Sequence, residues 1–176
     1  ELIEGETTLT THMESGCRLR VDVAKAYFSV RESTERLRIA EMVSPKETVM
    51  VLFAGVGPYA IVLGKKRPDI GKIYALEINP DAVRLMEDKG LSNSWRRQKG
   101  LQTLLREMRQ GYNALPHTAY EFLDVAFLLL KKKGGVIHLY HIEDEGEVSG
   151  EVMKKMEEAS GKRKYEISEK RKVLPY

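Results

Sequence analysis

A chain of 176 residues and 20.1 kDa fits one compact domain. Hydrophobic residues at 42% and charged residues at 31% exclude a disordered or fibrous chain, and the single cysteine, Cys17, excludes an internal disulfide or a cysteine-rich zinc site. The net charge of +3 permits an anionic partner without demanding one. The basic residues cluster at Arg96-Arg97-Gln98-Lys99, Lys131-Lys132-Lys133, Lys162-Arg163-Lys164 and Lys170-Arg171-Lys172, and such runs are ordinarily solvated faces. No apolar run approaches the roughly 20 residues of a membrane-spanning helix. Residues 1–6 are too acidic for a signal peptide, so the expectation is a soluble cytoplasmic protein with no membrane partner.

In chain order, residues 18–23 alternate as Arg-Leu-Arg-Val-Asp-Val, which predicts a first strand or hairpin arm. Ser29 and Glu32 stand three apart as in a capping box, and Leu37, Ala40 and Val43 follow at helical spacing, predicting a helix that ends near Ser44-Pro45. Val49-Met50-Val51-Leu52-Phe53 is continuously apolar, the pattern of a central parallel strand covered on both faces. A glycine loop, Gly55-Val56-Gly57, follows at once. Residues 59–66 read as a helix, 72–76 as a second strand, and Asn79-Pro80 as the cap and first residue of a third helix. Strand, helix, strand, helix predicts the doubly wound, Rossmann-like α/β class.

Beyond Asp88 the pattern changes. Leu101, Leu104, Leu105 and Met108 fall at helical spacing, yet no strand is evident before residue 113, so the segment near 90–112 is expected to be atypical or incomplete and the chain to be a fragment. Residues 125–130 read as a buried helix end, 135–142 as an interior strand, 148–156 as an amphipathic helix and 164–174 as an edge strand.

The strongest constellation is the strand, the loop Phe53-Ala54-Gly55-Val56-Gly57-Pro58-Tyr59-Ala60, and a second strand ending at Glu77. Glycines allow the tight turn and close approach of a ligand. Glu77, at the carboxyl end of its strand, can accept two hydrogen bonds from a ribose diol in the switch-point crevice of an open sheet. An acid 20 residues beyond Gly57 also fits a dinucleotide fingerprint, so a nicotinamide-dependent enzyme stays open beside an adenosine-cofactor enzyme.

Tyr27-Phe28-Ser29-Val30-Arg31-x-x-x-Glu35-Arg36, residues 53–59, Ala75-Leu76-Glu77-Ile78-Asn79-Pro80, Asn113-Ala114-Leu115-Pro116 and Gly134-Gly135-Val136-Ile137-His138 occur in that order. Together they resemble the archaeal and eukaryotic tRNA guanine-N1 methyltransferases that act at position 37. The resemblance runs over roughly residues 16–142. It implies a class I S-adenosylmethionine-dependent methyltransferase fold, with residues 1–26 leading into a catalytic domain over 27–176, and tRNA as partner. It places Glu77 on the cofactor ribose, with Tyr27, Phe53, Gly55, Gly57, Pro58 and Ile78 around the cofactor.

This sequence departs from the family pattern at Val51, where an aspartate is usual, at Val30, where a proline is usual, and in the polar approach to Asn113. The family's N-terminal tRNA-recognition domain is expected to be missing from these 176 residues. The aminocarboxypropyl transfer of wyosine biosynthesis shares much of the motif set, while Arg31 and the asparagine-proline motif favour methyl transfer. A noncatalytic tRNA-binding fragment remains the nonenzyme alternative.

Guanine N1 carries a proton at neutral pH, so methylation requires a base within hydrogen-bond reach and stabilisation of the charge that moves to O6. Glu35 resembles the family's base and Arg31 the arginine of that pocket. Four apart, they can present both groups to one side; the alternative is an ordinary surface ion pair. Asn113 orients the base edge as the family motif implies. His138 and His141 read as buried neighbours rather than ligands, and no metal is assigned.

Overall fold

The computed structural model describes residues 7–87, 110–113, 119–141 and 150–171. Strands β1 (Leu9–Glu14) and β2 (Cys17–Asp22) form an antiparallel hairpin with Glu14 opposite Cys17. Its two-residue loop, Ser15-Gly16, has φ of 51° and 77°, the double positive φ that matches the twist of hairpin strands. Alternation then sorts β2: Cys17, Leu19 and Val21 are buried in the main core with Ile39, Ala40, Ile61 and Val62, while Arg18 and Arg20 face outward.

The expected capping box at Ser29 and Glu32 is not formed. Ser29 precedes a 3-10 turn, Val30–Glu32, and makes no side-chain cap, and helix α1 begins only at Ser33 (Ser33–Met42). Glu32 is drawn elsewhere: its Oε2 accepts the Tyr59 hydroxyl at 3.2 Å and lies 3.6 Å from Arg36 Nη1.

Strand β3 (Thr48–Leu52) leads through the glycine loop into α2 (Pro58–Lys66), followed by β4 (Lys72–Leu76) and α3 (Pro80–Glu87). Gly57 caps α2 with φ of 79° and Pro58 occupies the first turn, where its missing N–H costs nothing. Asn79 caps α3 as expected, its Oδ1 accepting the Asp81 N–H at 3.0 Å. Then come β5 (Gln110–Asn113), a 3-10 turn (Ala119–Phe122), α4 (Leu123–Leu129), β6 (Val136–Leu139) and α5 (Gly150–Ser160).

The described sheet is parallel throughout, in the order β4-β3-β5-β6. Its central strand explains the continuous apolar run. Val49 and Val51 enter the core shared with α1 and α2, whereas Met50 and Leu52 face Tyr74 and Leu129. Each such side chain contributes about 1.5 to 3 kcal/mol by leaving water.

Three further expectations are corrected. Gln110–Asn113 is a strand where the sequence suggested none. Gln-Gly-Tyr-Asn carries no apolar pattern, and ladders on both sides, to β3 and β6, hold it in the sheet. The interior strand expected over 135–142 is four residues long and lies at an end of the described sheet, with half-buried or exposed side chains. The edge strand expected over 164–174 is absent from its described part: residues 163–171 run as exposed irregular chain. Glu166-Ile167-Ser168-Glu169-Lys170-Arg171 offers almost no apolar face to bury. Residues 172–174, and 90–109 of the segment expected to be atypical, lie outside the described residues. Among the described residues no helix is long and apolar enough to cross a membrane.

Candidate active site

Because the strands are parallel, Leu52, Leu76, Asn113 and Leu139 end at one edge of the sheet. At the exit of β3, Phe53 holds φ of 54°. A bulky residue rarely adopts that region, at a cost of roughly 1 to 3 kcal/mol, and such strain concentrates at functional sites. Its ring meets Phe122 edge-on at 4.8 Å. The turn continues through Gly55, with φ of 58°, to Gly57, where an added Cβ would stand 2.6 Å from Met86 Cγ and Sδ.

Glu77 is tied to this turn. Its Oε2 accepts the Gly55 N–H at 2.6 Å, and its Oε1 accepts the N–H groups of Ile78 and Asn79 at 2.9 and 2.8 Å. A carboxylate offers about four acceptor positions, so among the described residues the backbone fills three and leaves one, on Oε2. With the Gly55 bond closed, Glu77 can accept one further hydrogen bond, where the sequence led to an expectation of two from a ribose diol.

The segment before α1 lies against the same loop. Asn79 Nδ2 donates to the Lys25 carbonyl at 2.7 Å, and the Tyr27 carbonyl is 3.7 Å from where a Cβ on Gly55 would stand. Tyr27 is 71% exposed and Ile78 94% exposed, leaving two large apolar surfaces uncovered at this edge. The loop, the carboxylate and the bare Ile78 side chain suit a nucleoside with a diol. Val51, where the family carries an aspartate, is buried in the core among Val49, Ile61 and Ile73 and offers no polar contact.

Glu35 is buried, 5% exposed, near the start of α1. Arg38 grips it bidentately, Nε to Oε2 at 2.8 Å and Nη2 to Oε1 at 2.6 Å, and the Tyr140 hydroxyl donates to Oε1. Burial alone would raise the Glu35 pKa. The hydrogen bonds from Arg38 and Tyr140, with the charges of Arg38 and Arg171, outweigh it and hold the carboxyl below its ordinary value. The same pair raises Arg38. His138, one strand position away from Leu139, is held below its usual pKa by burial and by Arg38, so it stays neutral where an exposed histidine titrates.

Arg31 does not join this pair. It is exposed and has no ion-pair partner among the described residues, because the 3-10 turn at residues 30–32 breaks the α-helical spacing that would set it over Glu35. Asn113 ends β5 with its backbone in register between Leu52 and Leu139, so it reaches the same edge. Pro116 lies outside the described residues. Tyr59, the second residue of α2, connects the two halves of the site: its ring is 6.1 Å from that of Tyr140, the partner of Glu35.

Sequence reasoning missed Arg38, Tyr140 and the tie from Asn79 to Lys25. Arg38 stands three residues beyond Glu35, a spacing that signals a helical ion pair. Tyr140, 105 positions away, left no local signal. Among the described residues no group of three or more histidines, cysteines or carboxylates could hold a metal.

Residues 10–168 match the family described as TRM5/TYW2 methyltransferase domain. The chain is 37% identical over an alignment of 181 positions, which covers 99% of its length, to the tRNA (guanine(37)-N(1))-methyltransferase Trm5b of Pyrococcus abyssi, and spans 54% of that relative. It is 33% identical over 151 residues to a tRNA(Phe) (4-demethylwyosine(37)-C(7)) aminocarboxypropyltransferase of Methanocaldococcus jannaschii, covering 80% of this chain and 58% of the relative. The crystal structure of Pyrococcus abyssi Trm5b superposes with a TM-score of 0.77 at 36% identity, over 90% of this chain and 48% of the other. That of M. jannaschii TYW2 in complex with AdoMet gives 0.77 at 27% identity, over 91% and 75%.

Proposed function

The chain belongs to the TRM5/TYW2 methyltransferase domain family, and from that membership we propose that it transfers a methyl group from S-adenosylmethionine to N1 of guanine 37 in tRNA, in the cytoplasm. It spans about half the length of its Trm5b relative, and the proposal treats residues 27–176 as the catalytic unit, with residues 1–26 leading into it through the hairpin. The observation that supports the reading is that the Gly55–Glu77 cradle and Tyr140, the partner of the buried Glu35, both follow the carboxyl ends of strands in one parallel sheet.

S-adenosylmethionine, when bound, supplies an electrophilic methyl group. Glu77 holds its ribose at the remaining Oε2 position, the turn at Gly55, Gly57 and Pro58 admits its methionine part beside Phe53, and Ile78 and Tyr27 cover its apolar surface. Glu35 receives the N1 proton, which turns N1 into a nucleophile. The exposed Arg31 guanidinium faces the charge that develops at O6, and Asn113 fixes the base edge.

Aminocarboxypropyl transfer is the second reading, favoured by the M. jannaschii relative. Arg31 and Asn113 in their motifs, with the higher identity to Trm5b, favour methyl transfer. The test is incubation with tRNA bearing guanosine at position 37 and S-adenosylmethionine, with nucleosides resolved by mass spectrometry. 1-Methylguanosine at position 37 is the expected product. An aminocarboxypropyl adduct, or tRNA binding without any product, would overturn the reading.

A further inference from the structure

The Glu35 carboxylate is held by more partners than a proton acceptor requires. Arg38 takes one position on each oxygen and Tyr140 a second on Oε1, so three of about four acceptor positions are filled among the described residues and the open one is on Oε2. We propose that Arg38 and Tyr140 are positioning residues that keep Glu35 charged and present a single lone pair, on Oε2, to the guanine N1 proton. The inference rests on the reading of Glu35 as the base.

The charged surroundings decide whether such a clamp is needed. On its own helix Glu35 faces Arg38, and the Glu32 carboxylate repels it. From β6 and the residue beyond it come His138 and the Tyr140 hydroxyl, and from the exposed segment come Glu169, 3.2 Å from Arg38, and Arg171. Burial and Glu32 both favour a neutral Glu35, and a neutral carboxyl accepts no proton. Arg38 is the cation in direct contact that reverses this, and the net direction for Glu35 is downward. A base held in this way is weaker than a free glutamate but remains charged through the neutral range. The proton leaves N1 for Oε2, the neutral carboxyl loosens its hold on Arg38, and the proton then passes to water at the sheet edge.

A carboxyl-13C NMR titration of the glutamates in the cofactor-free protein reads the clamp directly. Glu35→Gln assigns the resonance. Arg38→Gln is expected to raise the Glu35 midpoint by about one pH unit or more, the usual effect of losing an adjacent opposite charge. Tyr140→Phe should raise it less, and Arg38→Lys should restore part of the loss. The acid limb of single-turnover methyl transfer should move by the same amount while its plateau persists, whereas a merely structural role would lower the plateau and leave the limb in place.

Midpoints unmoved in Arg38→Gln and Tyr140→Phe would overturn the proposal. Should Arg38→Gln fail to fold, Tyr140→Phe carries the same test. A Glu35→Gln protein that keeps its full rate would instead overturn the reading of Glu35 as base, and with it the proposal.

Discussion

The carboxylate of Glu77 and the backbone N–H of Gly55 meet at 2.6 Å, joining the exits of two adjacent parallel strands. Ala54 N–H to Leu76 carbonyl, at 2.8 Å, reinforces the junction. The glycine loop is thus pre-shaped by the residue proposed to bind the ribose. Glu77→Gln keeps the size but removes the charge and one acceptor oxygen, so S-adenosylhomocysteine should bind about 1 to 3 kcal/mol more weakly, a loss of about five- to 150-fold. Titration calorimetry checks this. Unchanged affinity would take Glu77 out of the cofactor site.

The two loop glycines should differ in their tolerance of a methyl group. Both have positive φ, which costs a non-glycine residue roughly 1 to 2 kcal/mol. A Cβ on Gly55 would meet only the Tyr27 carbonyl at an ordinary 3.7 Å, whereas one on Gly57 would stand 2.6 Å from Met86 Cγ and Sδ. Gly57→Ala is therefore expected to destabilise by about 1 kcal/mol more than Gly55→Ala, in keeping with the cost of overpacking. Urea denaturation of both variants decides it. Equal losses would show that Met86 yields freely.

How much of this was legible in the sequence depends on where each contact closes. The β3-loop-α2 unit, β4 and the α3 cap were readable because the signals are local: a buried apolar run, glycines where φ must be positive, and Asn-Pro at a helix start. Strand β5 was not, because Gln-Gly-Tyr-Asn takes its conformation from neighbours on both sides rather than from its own pattern. The same division runs through the site. Glu77 was identifiable from its place after a strand, and its bond to Gly55 is a short-range consequence of that topology. Glu35 was identifiable as a residue, but one of its partners, Tyr140, arrives from just beyond a distant strand. The 3-10 turn at Val30–Glu32 hid the separation of Arg31 from Glu35, since helical spacing assumes a helix that has not yet begun.

Arg36 and Glu14 form a buried bidentate pair, Nε to Oε1 and Nη2 to Oε2, both at 2.6 Å, with side chains 1% and 4% exposed. Arg36 Nη2 also donates to the Ser29 carbonyl at 3.0 Å, so the pair pins the hairpin to the turn that carries Arg31. Arg36→Met should leave the buried Glu14 carboxyl with His12, 3.1 Å away, as its remaining ion-pair partner among the described residues, and cost about 3 to 5 kcal/mol. Glu14→Gln should cost less, because Arg36 keeps Glu32 at 3.6 Å. Chemical denaturation of the two variants gives the comparison. A loss under about 1 kcal/mol for Arg36→Met would show that the pair contributes little beyond its own desolvation.

Sheet polarity also separates the basic clusters. The turn at residues 131–134, closed by the Gly134 N–H to the Lys131 carbonyl at 2.9 Å, precedes β6 and so lies at the amino edge of the parallel strands, opposite the candidate site. Arg163 donates to the Phe127 carbonyl at the end of α4, which returns toward that same edge. Lys170 and Arg171 are at the other end of the segment, where Glu169 bonds Arg38 at 3.2 Å and the Arg171 charge reaches Glu35. A tRNA bound with guanine 37 at the site should therefore contact the second group and not the first. Each phosphate contact contributes roughly 0.7 to 0.9 to the slope of log affinity against log salt. Replacing Lys170 and Arg171 by glutamine should lower that slope by about 1 to 2, and replacing Lys131, Lys132 and Lys133 should leave it unchanged. Filter binding across a salt series distinguishes the two. A slope that falls with the Lys131 cluster and not with Lys170 and Arg171 would place the tRNA on the opposite edge, away from Glu35 and Glu77.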